Sequence, residues 1–361
     1  MASTLLVVGL AACSSPAARR PQASADSGRP VVRPAAVDGL LARTMARNNR
    51  ANARLDAGLL SSYEAGSAFA IDAGTYEGER RAEKATGYHP PNAPFTLRRQ
   101  LSALQREPAW PVQLLTGGRT VAQSRNSPAG PACDSLLDFE KTGPAAPWKI
   151  VLEPGLGPSL PPVAMRGGYA APVRPSAVRA ADGLPAKVAQ ALLHFETTGN
   201  LGPFQRSYFT GSCWQLPNPR LDLLNAESAG FAARDLFSPL VPADTSVFAL
   251  RGGATLAIFT LSFKDELIAA SPSAPVAWRH TSLRKDPSAA FTYLLPAGNY
   301  LQVDQKGELE VAAVLSPSHA SYRLVGDYYG FTSVTGSKAS SHPTTTVPGA
   351  TLAAAQKGAS G

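Results

Sequence analysis

The cysteine at position 13 has the neighbours that a lipid-anchoring thiol requires. An apolar run over residues 5–10 leads into Ala11 and Ala12, Cys13 follows them, and a polar Ser-Ser-Pro comes next. Small side chains before the cysteine let a signal peptidase close on the backbone, and the freed cysteine sulfur then carries diacylglycerol, with palmitate as a further chain. Two or three acyl chains anchor a protein stably, whereas one alone is marginal. Residues 1–13 therefore predict a lipoprotein signal with lipidation at Cys13, which would hold the chain on the extracellular face of the cell membrane.

The leader departs from the usual signal peptide in two respects. It begins Met-Ala-Ser-Thr without a Lys or Arg, and only twelve residues precede Cys13. Signal peptides begin with positive charge and run about 15–30 residues, so we expect the natural start to lie further upstream. The alternatives are a signal that is not lipidated and a chance apolar N-terminus. No later apolar run approaches the roughly 20 residues that a bilayer requires, so no transmembrane segment is predicted.

The two remaining cysteines, Cys133 and Cys213, form a candidate disulfide. An oxidising compartment outside the membrane favours such a pair. The two positions are 80 residues apart, and closing a loop of that length would contribute roughly 4–5 kcal/mol in the chain-entropy interpretation of disulfides. The alternative is two free, partly buried thiols.

The charge of the chain points to anionic partners at a surface. The sequence has 34 basic and 26 acidic residues, a net charge of +8, and most of the basic residues are arginine. The abundance of alanine beside arginine is typical of a GC-rich genome, so we expect no nucleic-acid partner. An excess of positive charge favours anionic lipid headgroups or an acidic envelope polymer instead. An envelope protein is a further candidate partner.

A helix is predicted from Val37, and two of its faces carry information. Apolar and amide residues recur at helical spacing on the face expected to point inward, among them Asn48 and Asn52, which need hydrogen-bond partners if they are buried. The other face carries four arginines at i, i+4, i+7 and i+11, which form a candidate contact for anionic lipid; these are Arg43, Arg47, Arg50 and Arg54. The alternative interpretation of the arginines is an ordinary solvated surface.

Catalytic and metal-binding motifs are missing or misplaced. The motifs S-x-x-K at Ser282, S-x-N at Ser124 and K-T-G at Lys141 match the penicillin-binding set singly, but their order along the chain is wrong. The five histidines show no H-x-x-x-H pair and the chain has no C-x-x-C, so no metal site is predicted. The phosphate-binding and nucleophile-elbow motifs are also absent. We therefore predict no catalytic residue, no metal and no cofactor.

The order of the predicted elements indicates an α+β fold in two units. In each half, helical patterns come first and strand patterns follow. Strands are predicted at 110–115, ending at Gly117-Gly118, and at 291–295, and helical material is predicted at 221–236. The predicted segments are a disordered tether (14–36), a first α+β domain (37–153), a Pro/Gly-rich connection (154–182), a second α+β domain (183–335) and a disordered tail (336–361).

Two stretches resemble a group of actinobacterial lipoproteins of unknown function. The first runs from Asn48 to Tyr76 and includes Leu59-Leu60, Tyr63-Glu64-Ala65-Gly66 and Ile71-Asp72. The second is Trp148-Lys149-Ile150-Val151-Leu152-Glu153-Pro154. The resemblance implies two cone-shaped α+β units similar to nuclear transport factor 2, each with a curved antiparallel sheet around helices. It implies no catalytic residue.

A cone-shaped sheet leaves a cavity at its wide mouth, and aromatic residues would line such a cavity. The candidates are Trp110 and Trp148 in the first unit, and Trp278, Tyr293 and Tyr300 in the second. The alternative for each is an ordinary core position.

Together, these features predict a lipid-anchored envelope protein that binds or scaffolds without catalysis. The alternative is a cone-fold isomerase or hydrolase that acts on a small envelope-derived ligand through an Asp–His or Tyr–Asp pair in one cavity.

Overall fold

The fold is known from a computed structural model. It describes residues 36–89, 94–105, 110–122, 134–156, 160–198, 231–240, 245–271, 273–284 and 287–338. The predicted signal, most of the predicted tether, all three cysteines and nearly all of the predicted tail lie outside these ranges.

Five α-helices are described, three before the first strand and two in the middle of the chain. They are α1 (Val37–Arg54), α2 (Ala57–Leu60), α3 (Gly66–Thr86), α4 (Pro175–Asp182) and α5 (Leu184–Thr198). Two 3₁₀ segments occur later, at Arg251–Gly253 and Pro287–Leu294. None of these described helices has both the length and the apolar character that crossing a bilayer would take.

The strands fall into one large sheet and two small hairpins. They are β1 (Phe95–Leu104), β2 (Val112–Ala122), β3 (Asp134–Lys141), β4 (Lys149–Leu152), β5 (Gly155–Leu156), β6 (Met165–Arg166), β7 (Tyr169–Ala170), β8 (Phe231–Pro239), β9 (Ser246–Ala249), β10 (Thr255–Ala269), β11 (Val276–Trp278), β12 (Gly298–Tyr300), β13 (Gln302–Leu315) and β14 (Tyr322–Ser337).

The large sheet confirms the predicted α+β class. Its order is β1-β2-β3-β5-β14-β13-β10-β8, with β4 added beside β3 and β9 beside β10. The named strands of this sheet pair antiparallel wherever the structure describes them. The two-residue strand β5 pairs with both β3 and β14, and so joins the strands of the two chain halves into one sheet.

Side-chain alternation along β10 shows how the layers are arranged, because successive residues of a strand point to opposite faces. Phe259 and Leu261 join the apolar cluster under α4 and α5. Leu256 and Ile258, on the other face, pack with residues of β2 and β3 in a cluster shared by the two halves. Further along the same face, Thr260 donates a hydrogen bond to a residue of α3. Helices therefore cover the second half of the sheet on both faces.

Helix α3 lies unusually close to the sheet because two of its glycines face backbone. A Cβ atom at Gly74 would lie 2.2 Å from the carbonyl oxygen of Phe331 in β14. One at Gly78 would lie 2.4 Å from the carbonyl oxygen of Ala290 in the second 3₁₀ segment. From the sheet side, a Cβ at Gly330 would meet Ile71 of α3 at 2.6 Å. Side chains at these positions would push the helix away from the strands.

Several predicted elements need correction. Gly66 begins α3, and its backbone has a φ of 60°, which glycine tolerates. Strand β2 continues through Gly117-Gly118 to Ala122, because Gly118 lets β1 approach, and a Cβ there would lie 2.2 Å from the Arg98 carbonyl oxygen.

Two assignments in the second half were wrong over the described residues. Residues 231–236, predicted as helical, belong to β8, where pairing with β10 overrides the local pattern. Residues 291–294, predicted as a strand, form part of a 3₁₀ segment packed against α3. The predicted connection, 154–182, contains β5, the β6–β7 hairpin and α4.

The close approach of α3 generates a stability prediction. We expect Gly74→Ala to lower the free energy of unfolding by about 1–3 kcal/mol, because an added methyl group must displace the β14 backbone. Urea denaturation followed by circular dichroism measures the change. The matched control is Gly39→Ala in α1, whose Cβ would meet only the flexible end of Arg43 at 3.3 Å. That control should be neutral or stabilising by up to about 1 kcal/mol, as a glycine-to-alanine change in a helix is elsewhere. Equal effects at both positions would contradict the prediction.

Candidate functional site

Four carboxyl groups from distant parts of the chain meet between α3 and the second half of the sheet. Glu64 precedes α3, Asp72 lies on α3, Glu153 follows β4 and Glu310 lies in β13. Each acts electrostatically on at least one of the others. Glu64 is 1% exposed and Glu310 is 0% exposed, while Asp72 and Glu153 are half-buried. We call these four residues the acid cluster.

The backbone around Glu64 fixes this side chain in the interior. The Ile150 N–H donates to the carbonyl oxygen of Tyr63 at 2.8 Å, and the Ala65 N–H donates to the carbonyl oxygen of Ile150 at 2.9 Å. The segment before α3 thus runs beside β4 as a short parallel bridge. The backbone on both sides of Glu64 is thus held against β4, and the Glu64 side chain lies in the interior.

Glu310 is held by donors from the first half of the chain. The Ser67 hydroxyl donates to its Oε1 at 2.7 Å, and the Glu153 N–H donates to its Oε2. The Thr260 hydroxyl donates in turn to the Ser67 oxygen at 2.9 Å. These bonds connect α3 and the segment after β4 to β10 and β13.

Two tyrosines complete the polar surroundings of the cluster. The Tyr328 hydroxyl of β14 donates to Oδ1 of Asp72 at 2.5 Å. The Tyr76 hydroxyl donates to Oδ1 of Asn52, so one of the two asparagines predicted to face inward has a partner. The other, Asn48, is buried as predicted, and its Oδ1 has no hydrogen-bond partner among the described residues.

Neither oxygen of the Glu64 carboxyl has a hydrogen-bond partner in the described part of the chain. Burial above all, with the charges of Asp72 and Glu310 acting in the same direction, raises its pKa to about 10. Burial also raises the pKa of Glu310 to about 8, although the Ser67 and Glu153 donors oppose that shift. Burial raises the pKa of Asp72 to about 6, against the opposing effect of the Tyr328 hydroxyl.

The pKa values of these three carboxyls differ, although the groups are chemically similar. Neighbouring carboxyls in proton-transfer sites often differ in the same way. At pH 7, the shifts favour the proton on Glu64 and Glu310 and the charge on Asp72. Among the described residues, no group of three His, Cys, Asp or Glu side chains is placed to hold a metal ion.

Outside the acid cluster, the carboxyl group of Asp138 is also buried, and it lies where the two halves of the chain pack together. The Ser246 hydroxyl of β9 donates to Oδ2 of Asp138 in β3, and the Gln113 amide donates to that Ser246 oxygen at 2.8 Å. Oδ1 of Asp138 has no partner among the described residues. Burial raises the pKa of Asp138 to about 7, and the serine donor opposes the shift.

The predicted arginine face of α1 is exposed along its whole length. Arg43, Arg47, Arg50 and Arg54 are all exposed, and no described residue forms an ion pair with any of them. The acidic residue of the first turn, Asp38, pairs instead with Arg99 of β1 at 2.8 Å. The structure thus leaves a line of uncompensated positive charge on the first helix.

The aromatic residues predicted for a second pocket lie in core positions. Trp278 and Tyr300 belong to one buried apolar cluster and Tyr293 to another. The Trp278 indole donates to the Thr292 carbonyl oxygen at 2.9 Å, and the Tyr300 hydroxyl donates to that of Pro296 at 2.8 Å. Tyr293 stacks on His280, with ring centroids 4.3 Å apart. The backbone thus satisfies the polar atoms of Trp278 and Tyr300.

The first-unit aromatic candidates occupy different surroundings. Trp148 is half-buried and packs against the apolar cluster under α1 and α3. Trp110 is 37% exposed, and the amine of Lys141 lies 6.0 Å from its ring centroid. The lipidation site Cys13 and the candidate disulfide, Cys133 and Cys213, fall outside the described residues and remain predictions.

The acid cluster was missed in the sequence analysis, although one signal for it exists. Glu308 and Glu310 alternate with Leu309 and Val311 in a run that is otherwise apolar, so one face of that strand carries acids. An acid in such a strand must face either water or a polar partner. The partner here is α3, whose position no local pattern indicates.

Comparison with known proteins gives a family but no activity. A family model described as "Domain of unknown function (DUF8094)" matches residues 28–336, which is most of the chain. The matched range contains all of the described helices and all four members of the acid cluster. A search of curated proteins finds no match.

The Tyr328–Asp72 bond generates a prediction about pH. We expect Tyr328→Phe to lower the free energy of unfolding by about 1–3 kcal/mol, because it leaves a buried carboxylate oxygen without its donor. The hydroxyl lowers the pKa of Asp72, so its loss should raise that pKa above about 6. The cost should therefore be larger at pH 8, where Asp72 is ionised, than at pH 5. Urea denaturation at both pH values measures it.

Tyr322→Phe on the same strand is the control for Tyr328→Phe. Tyr322 packs against the apolar cluster under α4 and α5, and the structure gives its hydroxyl no described hydrogen-bond partner. We expect a change within about 0.5 kcal/mol and no difference between pH 5 and pH 8. A Tyr328→Phe cost that is independent of pH would show that the hydroxyl does not interact with the charged form of Asp72.

Proposed function

The chain belongs to the family described as a domain of unknown function (DUF8094), and we propose that it is a lipid-anchored envelope protein that binds anionic lipid headgroups without catalysis. The observation that carries the proposal is the arginine face of α1. In this proposal the lipid on Cys13 attaches the chain to the extracellular face of the cell membrane, and the arginines orient it there.

The geometry of α1 concentrates its charge in one direction. Residues spaced by four, three and four positions fall within about 60° of one another around a helix. The opposite side of the helix is buried through Leu41, Met45 and Asn48. The arginine face therefore points away from the body of the protein, where it can meet a flat anionic surface.

The position of α1 in the chain supports the same role. The helix begins 24 residues after Cys13, so a lipid at that cysteine would keep α1 near the headgroups. Each basic residue close to an anionic membrane contributes about 1 kcal/mol. Four of them give a weak contact alone and a substantial one when the chain is already anchored.

The binding test uses the full chain with Cys13→Ser, so that no acyl chain contributes. We expect it to bind vesicles of phosphatidylcholine with 30% phosphatidylglycerol, and not pure phosphatidylcholine vesicles. Replacing Arg43, Arg47, Arg50 and Arg54 together by Gln should weaken the binding at least about tenfold. The matched control replaces four exposed arginines outside α1 by Gln, namely Arg166, Arg174, Arg179 and Arg251. Vesicle flotation gives the bound fraction.

Three outcomes would contradict this lipid contact. One is equal binding to both kinds of vesicle, and another is an equal loss in the two arginine variants, which would indicate net charge and not a defined face. The third is binding to an acidic polymer such as polyglutamate with none to vesicles, which would assign the face to an envelope polymer.

Anchoring has its own prediction. In cells, we expect the parent chain to fractionate with membranes and the Cys13→Ser variant to be released, because the acyl chains are the anchor. Intact-mass analysis of the membrane-extracted parent should show the added lipid. A Cys13→Ser chain that stays in the membrane fraction like the parent would overturn the anchor.

The finer fold assignment belongs to the same proposal: two tandem cone-like units over residues 37–153 and 183–335. The order of elements supports it, since helices precede antiparallel strands in each half. Separate apolar clusters under α1–α3 and under α4–α5 also support it.

A second candidate function, a cone-fold isomerase or hydrolase, has one observation in its favour. Tyr328 and Asp72 form a Tyr–Asp pair beside a proton-bearing Glu64. The described His–carboxylate pair, His89 with Glu83, lies at the surface and does not add to this site. Turnover of p-nitrophenyl acetate by the parent and not by a folded Asp72→Asn variant would favour an enzyme.

A further inference from the structure

The acid cluster joins the two halves of the chain through carboxyl groups and donors that carry no positive charge. Glu64, Asp72 and Glu153 come from the first half, and Glu310 comes from the second. The bonds to these carboxyls that cross between the halves are those of Ser67 and the Glu153 N–H to Glu310, and of Tyr328 to Asp72. All three donors are neutral. None of them therefore brings a positive charge to an ionised carboxylate.

The groups that face Glu64 from every packed element are acidic or neutral. Tyr63 lies on its own segment, Asp72 and Tyr76 on α3, Glu153 after β4 and Glu310 on β13. The charges that shift the pKa of Glu64 come from Asp72 and Glu310, and both act in the direction that favours the protonated form. An ionised Glu64 would therefore gain repulsion and no partner.

The lack of hydrogen-bond partners at the Glu64 carboxyl is a geometric observation that does not depend on any pKa. Its side chain is 1% exposed, and neither oxygen accepts a hydrogen bond from a described residue. A buried carboxylate without donors costs several kcal/mol, whereas a protonated carboxyl costs much less. The docked arrangement of α3 is thus compatible with Glu64 only in its neutral form.

We propose that the acid cluster is a pH-sensitive lock, which holds α3 against the second half of the sheet when its carboxyls are protonated and releases α3 as the pH rises. This inference is independent of Cys13 and of the arginine face. A protein outside the membrane would meet the external pH directly, and the lock would make the attachment between its two halves respond to that pH.

The sign of the effect follows from proton binding. The pKa of Glu64 rises from 4.5 to about 10, that of Glu310 from 4.5 to about 8, and that of Asp72 from 3.8 to about 6. The folded chain therefore binds more protons than the unfolded chain between these limits. The stability is fully present below about pH 4 and is lost progressively from there up to about pH 10.

Hydrogen–deuterium exchange of the full chain with Cys13→Ser tests the lock. Protection factors, corrected for the intrinsic exchange rate at each pH, are compared at pH 5.5 and pH 9 for peptides covering residues 66–86 and residues 184–198. We expect protection over 66–86 to fall by at least about tenfold at pH 9, and protection over 184–198 to stay within about threefold. One unit of pKa difference corresponds to a tenfold change in such an equilibrium.

Two variants separate the lock from a general effect of pH. Glu64→Gln with Glu310→Gln keeps the size of both side chains and removes their charge, so the loss of protection over 66–86 at pH 9 should shrink to the part that Asp72 and Glu153 contribute. Glu83→Gln, on the exposed side of the same helix, should behave like the parent. Unchanged protection in the parent, or an undiminished pH dependence in the double variant, would overturn the proposal.

A titration of the parent keeps the proposal testable if the double variant fails to fold. Potentiometric titration of the native and the urea-unfolded chain between pH 5 and pH 8 measures the difference in bound protons directly. We expect the native chain to hold at least one more proton than the unfolded chain near pH 7. Equal proton binding by the two states would overturn the lock.

Discussion

The docking of α3 onto the second half of the sheet is the contact on which the rest of the structure depends. It joins the first half of the chain to the second over a surface that combines backbone-close glycines with buried carboxyls. The glycines bring the helix so near that no water layer separates it from β14. The carboxyls of Glu64 and Glu310 then lie in a region of low polarity, where the protonated form is favoured.

The same contact explains why one part of the sheet surface is polar while the rest is apolar. One face of β10 and β13 packs against α4 and α5 through a cluster of apolar side chains. The other face divides into an apolar part, which meets β2 and β3, and a polar part, which meets α3. Polar residues under a helix specify one position for that helix, because Ser67 and Glu310 match only in this register.

The sequence predicted the features that depend on local pattern. The helix from Val37, its buried face and the exposure of its arginines are confirmed, because spacing along a single element determines them. The acid cluster was not predicted, because its members lie in four separate segments that only the tertiary fold brings together. The strand β8 was missed for the same reason, since pairing with β10 determines it. The aromatic residues were predicted to line a cavity, but Trp278, Tyr293 and Tyr300 lie in core positions, which was the alternative. Trp148 is half-buried and Trp110 is 37% exposed.

The Ser67–Glu310 bond can form only late in synthesis of the chain. Its two residues are separated by 243 positions in sequence. At a synthesis rate of about 5–20 residues per second, α3 would be made roughly 10–50 s before the strand that receives it. Elementary helix and hairpin formation takes microseconds, so the first half has ample time to form its local structure while this surface is still uncovered. A nascent chain would spend that interval with an exposed, acid-lined helix that a chaperone or a second copy of the chain can meet first.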